Sequence, residues 1–442
     1  MSLTLPIGSE KIKQRLFAVG LVGFLSALSI GVDGHPIFQI LAVESLGLGP
    51  RAIGVALGLG TLSIPVQIWA ARIPLHRARH NVRLFLWTMG AMALATAALV
   101  AFAEPGSWVA GLALAVAIAA EISVSVLMAT AWQPLISYSL SPVQRAFMLG
   151  PAAALRGMLI LGSTVLVGAL DRTGRTAFLV VVGIAVLVVA ETLRQIPAPP
   201  DADSVWESSA NEDANDGEPV PPPQAELSAG VSPAFPPGIL SLYLMTAALA
   251  LGRWPLLVTY AAITLWPTGN LGLLGAALSA GGIAASLLWR DPGRHVLTAI
   301  RAGAVLAAVC TVGLTTIDGP ITTSSGAALL LALAAVGSAA RNVTGTASME
   351  LVHRRIDTTN SVRVMTMLDV IGSTTAQLNM FVAGFLIAAT AAASPFELAG
   401  LDVFQIWIVV MAVVELAAAA RLRLRPGDFA PSAPDLTHPA TP

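Results

Sequence analysis

The chain has 442 residues, of which 55% are hydrophobic and 11% are charged. So little polar surface cannot cover a water-soluble body of this size, which excludes a soluble globular protein. The formal net charge of -1 identifies no partner by itself, because in a membrane protein the distribution of charge between the two sides carries the information. No nucleic acid partner is predicted. The single cysteine, Cys310, excludes a disulfide framework.

Apolar runs of about twenty residues recur along the chain, and runs of that length cross a ~30 Å hydrocarbon layer as helices. The first run has no A-x-A-like cleavage site, so we predict an anchor and not a cleaved signal. Six spans are predicted in the first part of the chain: Leu16–Ile37, Ala52–Ala71, Leu84–Ala103, Trp108–Ala131, Ala146–Leu170 and Ala177–Leu193. Six more follow: Gly238–Ile263, Leu271–Trp289, Val296–Thr316, Ser325–Met349, Val364–Ala389 and Val403–Ala420.

A hydrophilic stretch, Pro197–Pro237, separates the two sets of spans and is rich in Pro, Ser, Ala and acidic residues. Such a composition buries too little apolar area to order itself, so we predict a flexible tether. A docking or regulatory segment is the alternative. The predicted organisation is a six-helix bundle over residues 1–196, a linker over 197–237, a second bundle over 238–425 and a disordered tail over 426–442.

Basic residues collect in alternate loops. By the positive-inside rule these loops are cytoplasmic, which places both termini and the linker on the cytoplasmic side of the inner membrane. The opposite loops hold few arginines, chiefly Arg51, Arg172 and Arg175. The basic residues on the predicted cytoplasmic side are Lys11, Lys13, Arg15, Arg72, Arg77, Arg79, Arg83, Arg145, Arg290, Arg294, Arg301, Arg354, Arg355, Arg363, Arg421, Arg423 and Arg425.

The two sets of spans resemble each other at an offset of about 220 residues. The segment Ala52–Leu57 is matched by Leu273–Leu278, and Pro36 late in span one is matched by Pro255 late in span seven. Many transporters built from such repeats bind substrate at the repeat interface, near the bilayer midplane. Chance similarity between apolar segments is the alternative.

Two similar sets of six spans, cytoplasmic termini, a long central linker and basic loops after spans two and eight resemble the major facilitator superfamily of secondary transporters. Members carry a G-x-L-a-D-r-x-G-r-r pattern after span two. Here the arginines persist there, while the acid and both glycines are gone, and the second-half loop keeps more of the pattern. The loop residues that match are Arg72, Arg77, Arg79, Arg290, Asp291, Gly293 and Arg294.

The resemblance implies an all-α integral membrane protein whose twelve transmembrane helices form two pseudo-symmetric six-helix bundles, the MFS fold. The stretch from Pro36 through Leu46–Pro50 to Ile53-Gly54 is also similar to the family's entry into span two. The drug-antiporter signature of span five is not met, because Gly162 and Gly168 lack the proline between them.

Each charged side chain inside a span raises the free energy of membrane insertion by roughly 2.5 to 3.5 kcal/mol. Such a residue is therefore expected to have an ionic partner or a functional role. Glu121 in span four and Arg156 in span five both fall near the midplane. Burial favours a protonated carboxyl and a nearby arginine favours an ionised one, so a change in water access can switch Glu121 between proton uptake and release. We predict that this pair couples transport to protons; an ion pair that sets helix packing is the alternative.

Arg341 in span ten and Asp369 in span eleven fall at similar depth in the cytoplasmic half. We predict a structural ion pair between them.

Asp33 and His35 lie late in span one, and Arg253 lies late in span seven. In the family these two helices face each other across the cavity, which implies that Asp33 and Arg253 form an outer gate. The alternative is that Asp33 ends its helix among the headgroups. His35 titrates in a range that suits a switch on the acidic side, although a structural role is the commoner one.

Gln377 and Asn379 are polar candidates for the cavity wall, with interhelical hydrogen bonds as the alternative. Glu191 and Glu415, near the predicted cytoplasmic ends of spans six and twelve, are expected to pair with loop arginines. The tryptophans near span ends are expected to be interfacial anchors: Trp87, Trp108, Trp266 and Trp407.

No H-E-x-x-H, G-x-S-x-G, Asp-rich or phosphate-loop motif is present, so we predict no enzyme, no cofactor and no metal. We predict a monomeric secondary transporter in the lipid bilayer that exports a small organic molecule, coupled to protons. Uptake of an organic anion is the first alternative, because Arg156, Arg253 and Arg341 would attract one. A non-transporting assembly or sensor protein is the second.

Overall fold

The structure is a computed structural model that describes residues 36–66, 78–117, 120, 153–192, 239–252, 254, 256–267, 269–288, 295–317, 320–355, 361–392 and 400–423. Within these ranges the chain is helical and holds no β-strand. Six of the helices are long and apolar enough to cross a membrane by length and composition. The predicted all-α integral membrane class is confirmed.

The described helices overlap each of the twelve predicted spans, span one by Pro36 and Ile37 alone, and we number them by span. In the first half these are α1 (Pro36–Ile40, continued by a π-helix at Leu41–Ser45), α2 (Pro50–Gly58, continued by a 3-10 helix at Leu59–Ser63), α3 (Ala78–Phe102), α4 (Trp108–Ala117), α5 (Ala153–Ala169) and α6 (Arg172–Thr192). In the second half they are α7a (Ile239–Gly252), α7b (Leu257–Tyr260, continued by a π-helix at Ala261–Leu265), α8 (Leu271–Leu288), α9 (Val296–Thr315), α10 (Ser324–Arg355), α11 (Ser361–Ala391) and α12 (Val403–Arg421).

Local sequence explains where several helices begin. Pro50 is the first residue of α2, where its missing N–H costs no hydrogen bond. The α12 helix begins after Asp402, whose carboxylate accepts a 2.7 Å hydrogen bond from the backbone N–H of Gln405. The Gln405 side chain accepts one from the Asp402 backbone N–H in return, which completes a capping box.

The two halves share a detail of backbone geometry. Span one ends in a π-helix over Leu41–Ser45, and span seven ends in a π-helix over Ala261–Leu265, 220 residues later. A π-helix is rare, so its recurrence at equivalent positions supports a repeated bundle. The predicted linker and tail lie outside the described residues, and the domain boundaries stay predictions.

We call the end of the bundle that carries the turns at 46–49, 103–107, 266–270 and 400–402 the outer end, because the sequence predicts it to be extracellular; the opposite end is the inner end. Within the halves, α3 packs along α6, and α9 packs along α10 and α12. Between the halves, α2 packs on α11 and α5 packs on α8.

Candidate functional site

The two halves meet at the outer end through glycines that leave room for direct backbone contact. A β-carbon added at Gly384 of α11 would lie 2.5 Å from the Pro50 carbonyl oxygen and 2.8 Å from the Gly54 α-carbon. Across the other interface, a β-carbon added at Gly168 of α5 would lie 2.5 Å from the α-carbon of Gly272 in α8. Small residues allow transmembrane helices to approach this closely.

These two interfaces are equivalent under the repeat. Gly54 packs against Gly384, and its counterpart Gly275 packs against Thr164, which lies 220 residues before Gly384. We call the α2–α11 and α5–α8 contacts at the outer end the glycine seams.

A buried polar pair joins the halves between the glycine seams. The side-chain oxygen of Gln39 in α1 accepts hydrogen bonds of 3.1 Å from both the backbone N–H and the hydroxyl of Thr259 in α7b. The two residues are 4% and 0% exposed and stand 220 residues apart, so they are counterparts in the repeat that touch each other. Such a contact lies on the axis that relates the two halves.

Apolar packing closes the outer end around this pair. One continuous core runs from Phe38 and Ile53 of the first half to Tyr260, Ile387 and Phe404 of the second. At the inner end of the second half, a separate core holds α7a, α9, α10, α11 and α12 together, and among the described residues it includes none from the first half. In this conformation the outer end is sealed.

Span seven is broken where it passes through the bundle. Helix α7a ends at Gly252, and Leu256 has a left-handed backbone with φ of 56° before α7b begins. The sequence explains the break, since Pro255 has no N–H to donate to the carbonyl of Leu251. The side-chain amide of Asn379 in α11 donates a 3.0 Å hydrogen bond to that carbonyl instead.

Asn379 therefore stabilises the break by hydrogen bonds that join α11 to α7a and to α12. Its side-chain oxygen accepts a 2.8 Å hydrogen bond from the Trp407 indole N–H of α12, and the residue is 2% exposed. This is the role given as the alternative in the sequence analysis. It also gives the Trp407 indole a hydrogen-bond partner, and the interfacial role of Trp407 stays a prediction.

We expect Asn379→Ala to lower the free energy of unfolding by about 1–3 kcal/mol, because the Leu251 carbonyl and the Trp407 indole N–H would be left buried without partners. Thermal unfolding in detergent measures the effect as a lower Tm. Asn342→Ala is the control, since the Asn342 amide is exposed and bonds only within its own helix among the contacts described. Equal Tm values for the two variants would contradict this role.

An arginine lies beside the break. Nη2 of Arg341 in α10 donates a 3.0 Å hydrogen bond to the Thr311 hydroxyl of α9, and its guanidinium carbon lies 4.3 Å from the ring centroid of Trp254. The Trp254 indole N–H donates a 2.9 Å hydrogen bond to the same hydroxyl. Arg341 Nε lies 3.9 Å from Oε2 of Glu415 in α12. We call these four residues, Arg341, Glu415, Trp254 and Thr311, the Arg341 cluster.

The cluster gives Arg341 an acid that was not predicted for it. Glu415 was expected to pair with a loop arginine, and that prediction is wrong, because it lies buried against an arginine inside a span. The corresponding prediction for Glu191 is confirmed: its carboxylate accepts hydrogen bonds of 2.8 Å from Arg83 and 2.9 Å from the Trp87 indole. The Asp369 side chain lies outside the described residues, so its predicted pairing with Arg341 stays a prediction.

Most of the other predicted site residues lie outside the part of the chain that the structure describes. Arg156 and Arg79 are placed on α5 and α3 as backbone only, without a described side chain. Gln377 is described: it is buried, and its side-chain oxygen has no hydrogen-bond partner among the described residues. The residues outside the described ranges are Asp33, His35, Arg72, Arg77, Glu121, Arg253, Arg290, Asp291, Gly293 and Arg294.

Two sets of polar contacts at the outer end, which we call ties, were not predicted. The buried Arg175 of α6 donates to the Glu44 carboxylate, to the Ser45 hydroxyl at 3.1 Å and to the Val167 carbonyl at 2.8 Å. In the second half, the Tyr260 hydroxyl donates a 2.5 Å hydrogen bond to the Asp402 carboxylate. Each tie fastens the end of the first span of a half to the start of its sixth. The sequence carried a signal only for the first tie, because Arg175 is one of the few arginines in the predicted outer loops.

Solved structures with the same architecture decide the fold. A structure described as a bacterial homologue of the iron transporter ferroportin in an outward-facing state has a TM-score of 0.56 and 16% identity, over 93% of this chain and 100% of that chain. The nucleoside transporter NupG has a TM-score of 0.55 and 12% identity, over 93% and 98% of the two chains. This chain has the major facilitator fold.

The likeness to known proteins is one of fold and not of sequence. No protein-family model matches the chain, and no curated protein matches it. A structure of the bacterial ferroportin homologue in an inward-facing state has a TM-score of 0.53 and 14% identity, over 95% of this chain and 100% of that chain. The major facilitator fold therefore accounts for the twelve spans and the repeat, and the sealed outer end follows from this chain's own contacts.

Proposed function

We propose that the chain is a secondary active transporter that moves a small organic molecule across the cytoplasmic membrane by alternating access, with proton-coupled efflux as its mode. The observation that supports this most strongly is the seal at the outer end. It is made of two equivalent glycine seams, one hydrogen-bonded pair on the axis between the halves, and the apolar core that packs around that pair. A seal built symmetrically between two repeated halves can open by rotation of one half against the other.

The residues of the seal suit such an opening. Gln39 and Thr259 are polar, so water can satisfy both when they separate. Opening would also expose part of the apolar core around them, at a cost of about 25 cal/mol per Å². The glycine seams hold the halves through close van der Waals packing of helices at small residues. The Arg175 and Tyr260 ties lie within the halves and need not break.

Glu121 and Arg156 are the proposed proton-coupling residues, and Asp33, His35, Arg253 and Gln377 are proposed to face the solute. Among the described residues, Gln377 supports this assignment best, since a buried amide oxygen without a partner is a place for a ligand donor. Arg341 and Glu415 are not assigned to the solute; through Thr311 and Trp254 they join α9, α10 and α12 to the break in span seven.

We expect Glu121→Gln to abolish transport driven by a pH gradient and to leave solute exchange intact, because a neutral amide cannot bind and release the coupled proton. Driven uptake and counterflow in proteoliposomes measure the two activities separately. Glu104→Gln is the matched control, since Glu104 is exposed in a turn at the outer end. Unchanged driven transport in Glu121→Gln would refute the coupling role.

A thermal-shift panel on the purified protein, followed by counterflow of each hit, tests the function itself. The panel holds lipophilic cations, organic anions, nucleosides and divalent metal ions; the last two are the cargo types named for the similar structures. A stabilising solute that also undergoes counterflow supports the proposal. Organic anion uptake is disfavoured at Arg341, whose charge faces Glu415. Absence of counterflow for every stabilising solute would favour the non-transporting alternative.

A further inference from the structure

Glu415 is the most deeply buried acid among the described residues, with its side chain 2% exposed. It lies in α12, which packs against α7a, α9 and α11. Its Oε2 is 3.9 Å from Arg341 Nε, which is too long for a hydrogen bond. Its Oε1 has no hydrogen-bond partner in the part of the chain that the structure describes. A buried carboxylate needs its charge paired and its oxygens hydrogen-bonded, and Glu415 is poorly supplied with both.

Arg341 has better polar and aromatic contacts than Glu415. Its guanidinium donates to Thr311 and stacks on Trp254, and the Trp254 indole donates to the same threonine. A cation held over the face of a tryptophan is stabilised by the ring without any anion. Loss of the negative charge on Glu415 would therefore leave the arginine in place.

We propose that Glu415 is a proton-binding site whose charge state sets how tightly Arg341 is held between α12 and the break in span seven. A proton from water adds to one carboxylate oxygen, no covalent bond other than the new O–H forms, and the attraction to Arg341 is lost. The guanidinium then remains with Trp254 and Thr311. Trp254 lies in the break itself, between Gly252 and Leu257, so the change reaches α7 directly. The proposal deepens and depends on the proposed function, since a proton-coupled transporter needs such a site.

The ionisable groups around Glu415 come from every helix packed near it. Arg341 is its ionic neighbour. Arg301 of α9 is directed to the carbonyl groups of Ala419, Ala420 and Leu422 at the end of α12. The remaining ionisable groups on these helices and on α12 itself are Tyr243 of α7a, Cys310 of α9, the residues Glu350, His353, Arg354 and Arg355 at the inner end of α10, Arg363 and Asp369 of α11, and Arg421 in the last turn of α12.

Infrared difference spectroscopy of the full-length protein in nanodiscs, titrated from about pH 5 to pH 9, tests the site without any solute. A protonated carboxyl absorbs at a frequency that an ionised one lacks. We expect a carboxylic-acid band that disappears in Glu415→Gln and remains in Glu104→Gln. Arg341→Gln should move the midpoint of the band, because the charge that opposes protonation is gone. Fluorescence of Trp254, taken as the difference from Trp254→Phe, should change with the same midpoint.

A purely structural ion pair would stay ionised at every pH at which the fold is intact. A band that persists unchanged in Glu415→Gln, or a Trp254 signal that does not depend on pH, would overturn the proposal. If Glu415→Gln does not fold, Glu415→Asp keeps the carboxyl, and the band should shift in frequency; an unshifted band overturns the proposal equally. Because no solute is used, failure here is distinct from failure of the counterflow test, which addresses transport itself.

Discussion

Gly384→Ala is expected to slow transport about 5- to 150-fold while the protein stays folded. Its new methyl group would clash with the Pro50 carbonyl oxygen and the Gly54 α-carbon. These are backbone atoms, so no change of side-chain rotamer can relieve the clash. Overpacking of this kind costs about 1–3 kcal/mol, and the cost falls only on the state in which the outer end is sealed. A shift of that size changes the population of this state by about 5- to 150-fold.

Helix propensity separates the effect on the seal from an effect on folding, because alanine is preferred to glycine in a helix by about 1 kcal/mol. Each half should therefore be at least as stable as before. Gly162→Ala is the matched control, because a β-carbon there meets nothing within 4 Å. Labelling of Thr259→Cys with a membrane-impermeant thiol reagent, with Cys310 replaced by Ala, measures opening at the outer end. Faster labelling in Gly384→Ala is expected, and labelling as slow as in Gly162→Ala would contradict the seal.

Cross-linking Gln39→Cys to Thr259→Cys is expected to stop transport completely. The two side chains touch in the sealed state, so a short bifunctional thiol reagent should bridge them and hold the outer end closed. The buried Cys310 is again replaced by Ala to leave only the engineered pair.

A cleavable reagent provides the control for this experiment. Reduction should restore counterflow, and each single-cysteine variant should be insensitive to the reagent. Counterflow that continues in the fully cross-linked protein would show that Gln39 and Thr259 need not separate, and alternating access through the outer end would then be wrong.

Hydropathy predicted spans that the described helices overlap, six of which are long and apolar enough to cross a membrane, because burial in lipid selects for apolar side chains along each helix. It did not predict where the helices end. Helix α10 continues to Arg355 and α3 begins at Ala78, since polar residues extend a helix beyond the lipid without raising its hydropathy.

Contacts between helices were harder to predict. Arg341 was assigned to Asp369 because spans ten and eleven are consecutive, yet the acid described beside it comes from α12. Pro255 signals a break in span seven, but the partner of the freed carbonyl, Asn379, lies 128 residues from Leu251. A single sequence carries no information on which side chains meet across such separations. The repeat makes Gln39 and Thr259 counterparts at an offset of 220 residues, but only the structure shows that the two side chains touch.

The two ties at the outer end bear on how easily the protein changes shape. Arg175 with Glu44 and Ser45, and Tyr260 with Asp402, each lie inside one half. Contacts that persist in both conformations cancel from the free-energy difference between them, however strong they are. Among the described contacts, that difference is set where the halves meet, by the glycine seams, the Gln39–Thr259 pair and the apolar core around them. A solute or proton that binds one conformation a few kcal/mol more favourably than the other would shift the equilibrium between them.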